Sequence, residues 1–316
     1  MNSIDFSKCP LALAPLAGFT DLPFRRVAKR FGADVTVSEM ISANALVYQS
    51  KKTFKMLEKS PLENPYIVQL AGSDTHVIEE AVRMLNDIEG IDGIDLNCGC
   101  PVPKVVAQSA GSSLLLDLPK LGKLIETIKN TSNKPYTSAK VRLGFTQKTP
   151  DVIARVVEAS GADFMSIHGR TRSGGYHAEV DYVAIREAKG SVNIPVFANG
   201  DIKDVKTALH VKHLTGCEGL MIGRGAVGSP WIFHQIKHQT NTLDPALVHA
   251  IILEHFDAML DFYHEKGVSI FRKHLHTYSK GYSNASTFRD TINRIDRADE
   301  ARACIDAFFN PESQIL

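Results

Sequence analysis

Eight short apolar runs recur between residues 11 and 223, and the last seven each end at or beside a polar residue. They are "LALAP" from 11, "VTVSE" from 35, "YIVQL" from 66, "GIDLN" from 93, "TSAKV" from 137, "FMSIH" from 164, "PVFAN" from 195 and "GLMIG" from 219. Runs this short, rich in β-branched and aromatic residues, read as buried strands rather than helices. Helical patterns separate them. In "DTHVIEEAVRMLNDIEG" Asp74 or Thr75 caps, Val77, Ile78, Ala81, Val82 and Leu85 share one face, and Gly90 stops the helix. "TPDVIARVVEASG" has a Thr149 cap, Pro150 in the first helical position and Gly161 at its end. Strands alternating with helices require right-handed crossovers and a parallel sheet. Eight such units fit a closed (β/α)8 TIM barrel better than an open doubly wound sheet.

The polar tips support closure. Glu39, Gln69, Asn97, Lys140, His168, Asn199 and Arg224 stand where strands end, and in a barrel those ends meet on one rim. A single buried polar residue is usually a satisfied core group, whereas the same placement in successive units predicts a shared site. After the seventh and eighth runs, "NGD" (199–201) and "IGRGAVGSP" (222–230) offer glycines that let backbone N–H groups approach an anion, with Arg224 adding charge. "GRGAVG" follows the last strand instead of opening a first βαβ unit, so it is no dinucleotide fingerprint. Gln69 can donate and accept at a pyrimidine-like edge, Lys140 can hold negative charge on a reduced ring, and His168 can donate to an oxygen. Backbone of small residues in "APLAGFTD" (14–21) offers a surface for a flat ring. These groups suit flavin mononucleotide (FMN); a sugar phosphate forming a Schiff base on Lys140 suits them nearly as well.

The motifs taken together resemble those of the tRNA-dihydrouridine synthases, with a bacterial B-type flavour. They are "APLAGFTDLPFR" (14–25), "SEM" (38–40), "QLAG" (69–72), "DLNCGCPVPKV" (95–105), "AGSSLLLD" (110–117), "KVRLG" (140–144), "IHGRTR" (167–172), "NGDI" (199–202) and "IGRGAVGSPWIF" (222–233). The resemblance implies an FMN-binding barrel over 1–242 and a small helical-bundle domain over 243–316 that binds tRNA. It implies reduction of a tRNA uridine, with NADPH (or NADH) as electron donor, hydride passing from FMN N5 to C6, and a thiol protonating C5. By the "GCP" element the acid is Cys100, with Asn97 orienting the base. FMN contacts fall on Pro15, Leu16, Ala17, Gln69, Lys140, His168, Asn199, Gly200, Asp201, Gly223 and Arg224. Two positions depart from the family pattern: Cys98 replaces a larger apolar residue, and Asp181-Tyr182 stands where Asp-Trp is usual.

From about residue 243 the alternation gives way to helical patterns with segregated charge. Asp244, Glu254, Asp257, Asp261 and Glu265 come first. Lys266, Arg272, Lys273, Lys280, Arg289, Arg294, Arg297 and Arg302 follow, interleaved with Tyr278, Tyr282 and Phe288. Such a face fits RNA backbone contact and base stacking, with Arg272, Lys273 and Lys280 as the candidates. Asp244 is expected to cap the first tail helix, and Ser286 or Thr287 the last.

Composition excludes other classes. A net charge of +1 argues against a general nucleic-acid coat. No run reaches the roughly 18 apolar residues of a membrane span. The N-terminal stretch holds Pro10 and Pro15 and reads as a strand, not a signal peptide. Five scattered cysteines without a secretion signal point to reduced thiols in the cytoplasm. No metal ligand set is expected near Cys98 and Cys100, because zinc wants more ligands at workable spacing. A disulfide one residue apart would be strained, so Cys98 is expected only to fill space. The competing functions are a small-molecule flavin dehydrogenase of the dihydroorotate or dihydropyrimidine kind, a Schiff-base aldolase, and a non-enzymatic RNA-binding protein. No obligate protein partner is inferred.

Overall fold

A computed structural model describes residues 3–311; the outermost positions of the two expected domains, 1–2 and 312–316, lie outside the described residues. The eight apolar runs all form strands: β1 Leu11–Leu13, β2 Val35–Val37, β3 Tyr66–Ala71, β4 Gly93–Cys98, β5 Tyr136–Arg142, β6 Phe164–His168, β7 Val196–Asn199 and β8 Gly219–Ile222. Every pairing is parallel. β1 pairs with β8 through Leu11↔Leu220 and β2 pairs with β3 through Thr36↔Tyr66, which closes the sheet into a barrel. One further piece, Ile41–Ser42, follows β2 and pairs again with β3 at Ile41↔Leu70.

Closure gives each strand two different faces. Inside the barrel, away from the rim, Ile4, Ala12, Val35, Ile67, Phe164 and Phe197 pack as one cluster. Outside, Leu13, Val68, Leu96, Val141, Ile167 and Ile222 meet helix residues such as Ile78, Leu124, Ile153 and Ile185. Each fully buried side chain of this kind contributes about 1.5–3 kcal/mol.

The helices follow the expected signals with shifted ends. Asp74, not Thr75, caps Thr75–Asn86 by accepting from the N–H groups of His76 and Val77. The helix stops before Gly90, which turns the chain at φ +77°. Thr149 takes the N-cap position of Pro150–Ala159, but its side chain makes no capping hydrogen bond, and Ser160 rather than Gly161 is the C-cap. β4 runs one residue past Asn97, to Cys98.

The tail comprises helices Pro245–Tyr263, Lys266–Tyr278, Ala285–Ile292 and Ala298–Phe309 around a separate core that includes Phe256, Phe271, Leu275, Ile292 and Ile305. Asp244 caps the first, as its Asp-Pro pair predicts. The expected single last helix is two. Ser286 and Thr287 lie inside Ala285–Ile292, whose N-cap is Asn284 at φ +56°, so neither caps. The tail is fastened to the barrel by a Lys55 Nζ hydrogen bond to the Phe262 carbonyl (2.6 Å), an Arg30–Glu254 ion pair and Trp231 stacked on Tyr278. Among the described residues no helix is long and apolar enough to cross a membrane.

Candidate active site

A cavity of about 820 Å³ opens where the strands end. Register explains its polar lining. Gln69 pairs with Asp95 and Asp95 with Ser138, placing three polar side chains in one layer inside the barrel. Two residues further on, side chains return to the same face, and Asn97 pairs with Lys140. Asn199 lies in register with His168.

The first layer is a continuous hydrogen-bonded chain. Ser138 Oγ donates to Asp95 Oδ1 (2.7 Å), Gln69 Nε2 donates to Asp95 Oδ2 (2.8 Å), and Asn97 Nδ2 donates to Gln69 Oε1 (2.7 Å). Burial pushes Asp95 up to about 6 against these two donors. Gln69 is therefore fixed in one orientation, with its carbonyl oxygen on Asn97.

Asn97 links this network to the thiol. Its Oδ1 accepts the backbone N–H of Gly99 (3.2 Å) and of Cys100 (2.9 Å). Arg142 holds the same turn from the other side, donating from Nε to the Gly99 carbonyl (2.7 Å) and from a terminal nitrogen to the Thr171 carbonyl (3.1 Å). Cys100 lines the cavity. Cys98 points the opposite way, fully buried in the packing between barrel and helices, where burial raises its thiol well above the ordinary range. The strand ends at Cys98, and the turn at Gly99–Cys100, held by Asn97 and Arg142, carries the second thiol to the other side.

Lys140 donates to Asn199 Oδ1 (3.2 Å), and Asn199 Nδ2 donates to the Met221 carbonyl (2.7 Å). Burial, with Arg142 nearby, lowers Lys140 to about 8. Burial lowers His168 further, to about 2, reinforced by Lys140, Arg142, Arg170 and Arg224. The imidazole is neutral, and its buried Nδ1 has no hydrogen-bond partner among the described residues. A buried ring nitrogen facing four cations in a cavity is suited to an oxygen of a bound molecule.

The anion end is built from the β7 and β8 loops. Asp201, at φ +46°, holds Arg170 through both carboxylate oxygens (3.2 and 2.5 Å) and Arg224 through one (2.7 Å). The Arg170 bond holds its carboxyl below the usual range. That carboxylate accepts only, so it orients the arginines; backbone N–H groups remain for an anion. Gly225 lets the two loops touch, because a Cβ there would meet the Ile202 carbonyl at 2.1 Å. Tyr182, in the departing Asp181-Tyr182 pair, donates its hydroxyl to the Gly200 carbonyl (3.0 Å), while Asp181 caps the helix Tyr182–Gly190. Tyr182 thus braces this loop, and Asp181 anchors the helix that carries Tyr182.

Asn97, Cys100 and every residue expected to touch FMN line this one cavity; Glu39 does not, and instead accepts the Gly18 N–H. Of the tail candidates, Lys280 lines the cavity together with Thr277. Lys273 lies over the Phe19 ring, 5.4 Å from its centre. Arg272 is engaged inside the tail, on the Ile295 carbonyl (2.8 Å) and Asp296 (2.6 Å).

Sequence reading missed Arg142, Asp95 and Tyr176. The first two stand two residues from Lys140 and Asn97, a period-2 signal that marks the same strand face. Tyr176 sits in an aperiodic loop. Its ring lies 4.5 Å from the Arg224 guanidinium, 5.7 Å from that of Arg142 and edge-on to His168.

Comparison with known proteins gives the family and the fold. The family model described as "Dihydrouridine synthase (Dus)" matches residues 12–312. A probable tRNA-dihydrouridine synthase of Helicobacter pylori is 49% identical over 303 residues, covering 96% of this chain and 92% of that protein. The tRNA-dihydrouridine synthase B of Vibrio cholerae is 38% identical over 309 residues, covering 95% of each. Among solved structures, the old yellow enzyme from Trypanosoma cruzi superposes with a TM-score of 0.53 at 6% identity, covering 74% of this chain and 89% of that one. The old yellow enzyme homologue from Zymomonas mobilis gives 0.52 at 12% identity, covering 76% and 91%. At such identities the likeness shows the barrel fold alone.

Proposed function

The chain belongs to the dihydrouridine synthase family, and on that premise we propose that it reduces specific uridines of tRNA to dihydrouridine, using FMN with NADPH or NADH as electron donor. The observation that carries this reading is convergence: the thiol, the candidate FMN residues and a lysine of the tail share one cavity.

When bound, FMN supplies the hydride that saturates C6 of the uracil. The residues would divide the remaining work. Gln69, fixed by Asp95 and Asn97, presents its amide to the ring edge. Lys140 carries positive charge beside a ring that gains negative charge, and neutral His168 offers its free nitrogen to an oxygen. The β7 and β8 loops, with Arg224, take the phosphate. Cys100 gives its proton to C5 and recovers one from water, while Asn97 and Arg142 hold the turn that carries it. The barrel (1–242) would hold the cofactor and the tail (243–316) the tRNA. A uracil must leave its stack to reach the cavity, at a cost of a few kcal/mol that tail contacts offset. Such a substrate places the enzyme in the cytoplasm.

Mapping dihydrouridine in tRNA from cells with and without the gene tests the proposal. Loss at defined positions, restored by the wild-type gene, is expected. Unchanged dihydrouridine everywhere, or efficient turnover of free uracil or orotate by colourless or yellow protein alike, would refute the tRNA role.

A further inference from the structure

Away from the cavity, three buried side chains from three separate elements meet at the seam between barrel and tail. Asp21 caps the barrel helix Leu22–Arg30, His255 lies in Pro245–Tyr263, and His274 lies in Lys266–Tyr278. One ligand-capable atom of each lies within 4.8 Å of the other two. Exposure is 4% for Asp21 and 0% for both histidines. The walls are aromatic: Phe24 stacks on His274 with centres 5.4 Å apart, Phe271 meets His255 at 4.8 Å, and Phe19 meets His274 at 5.5 Å. In that setting His255 Nε2 and both nitrogens of His274 have no hydrogen-bond partner among the described residues. Buried polar atoms are rarely left so, and three in one place need a reason.

We propose that Asp21, His255 and His274 form a binding site for a divalent transition cation of borderline softness, such as Zn2+, which ties the tail to the barrel. Two imidazoles and a carboxylate are a donor set that zinc uses, leaving a fourth position for water. The outer partners are in place. Tyr278 Oη contacts His255 Nδ1 at 3.0 Å and leaves Nε2 facing the cluster, while Tyr263 donates to Asp21 Oδ2 at 3.1 Å. Such second contacts fix ligand orientation. A tetrahedral site with bonds of 2.0–2.1 Å sets donors roughly 3.4 Å apart. The three donors, within 4.8 Å of one another, would draw in to that spacing when the cation binds. Lys273 opposes a cation here, and Glu39 offsets it; both act on Asp21.

The site has a structural consequence for the cavity. His274 lies on the helix whose end supplies Thr277 and Lys280 to the cavity wall, and Asp21 follows the segment Ala14–Phe19, which also lines the cavity. A cation joining them would hold those two walls at a fixed separation. None of the three residues is close in sequence to another, so no ligand spacing announces them.

The test uses the full-length protein, stripped with a chelator and titrated with Zn2+ or Co2+ alone. Expected are one metal per chain, a raised melting temperature, and visible d–d absorption with Co2+. Replacing Cys98 and Cys100 by serine should leave the spectrum unchanged, since no thiolate ligates. His274→Ala should weaken binding by more than about a hundredfold, the upper end of what loss of an outer partner costs. Where that variant fails to fold, Asp21→Asn serves instead, because asparagine caps a helix as well as aspartate does but ligates poorly. Absence of stoichiometric binding by the wild type, or binding unaltered in Asp21→Asn and His274→Ala, would overturn the proposal.

Discussion

The side-chain oxygen of Asn97 accepts the backbone N–H of Cys100 at 2.9 Å, so the strand that supplies the amide also fixes where the thiol stands. Asn97 is tied in turn to Gln69, and through it to Asp95. Asn97→Ala should therefore lower kcat for tRNA reduction by roughly ten- to hundredfold, the scale of a misplaced catalytic group, while bound flavin changes little. Single-turnover rates alongside flavin content would separate the two, and an intact rate would remove Asn97 from the role.

Cys98 and Cys100 should respond oppositely to alanine. Cys100→Ala is expected to slow uracil reduction about a hundredfold or more with little loss of stability, as when a general acid is removed. Cys98→Ala removes a fully buried sulfur and should cost on the order of 1–2 kcal/mol of stability with activity largely retained. Equal damage to activity from both substitutions would contradict the division.

His168 gives acid sensitivity whose sign can be worked out. Its ordinary value of 6.5 is lowered to about 2 in the folded protein, so below pH 6.5 the unfolded chain takes up a proton that the folded chain refuses. Stability then falls with acid, by about 1.4 kcal/mol per pH unit well below 6.5. Urea unfolding between pH 7 and 4.5, roughly the accessible range, should show a shallower decline for His168→Gln. Parallel curves would mean His168 is not buried neutral.

Arg25 and Glu63 form a buried ion pair at 2.7 Å, with side chains 1% and 0% exposed. The guanidinium also donates to the carbonyls of Thr20 (3.2 Å) and Glu58 (2.7 Å). Glu63→Gln should destabilise the fold by about 3 kcal/mol, the low end for a broken buried pair, because those carbonyls persist. Calorimetry would register it as a clear drop in Tm; an unchanged Tm would show the pair to be dispensable.

The tail lysines and Arg272 should separate. Lys280→Ala is expected to weaken tRNA binding and flatten the dependence of log K on log salt by roughly one unit per lost phosphate contact. Arg272→Ala breaks contacts within the tail and should lower stability instead, with little change in salt slope. Filter binding across a salt series would distinguish them.

The sequence by itself determined the order and kind of the barrel elements, because β-strand and helix periodicities are local. "YIVQL" and "GIDLN" must bury, and Asp74 must cap, whatever surrounds them. It also placed Gln69, Asn97, Lys140, His168 and Asn199 at strand ends, where closure gathers them. Tertiary structure alone decided which face each neighbour took. The end of β4 at Cys98 and the turn held by Asn97 and Arg142 leave Cys98 in the core and bring Cys100 into the cavity, and register joins Gln69 to Asp95 and Asn97 to Lys140. Nothing local separates Arg272 from Lys280 either, since both sit in a basic helical stretch. Only packing turns one onto Asp296 and the other toward the cavity. Likewise Asp21, His255 and His274 meet only because the tail folds back on the barrel, and contacts at such separations carry no sequence period.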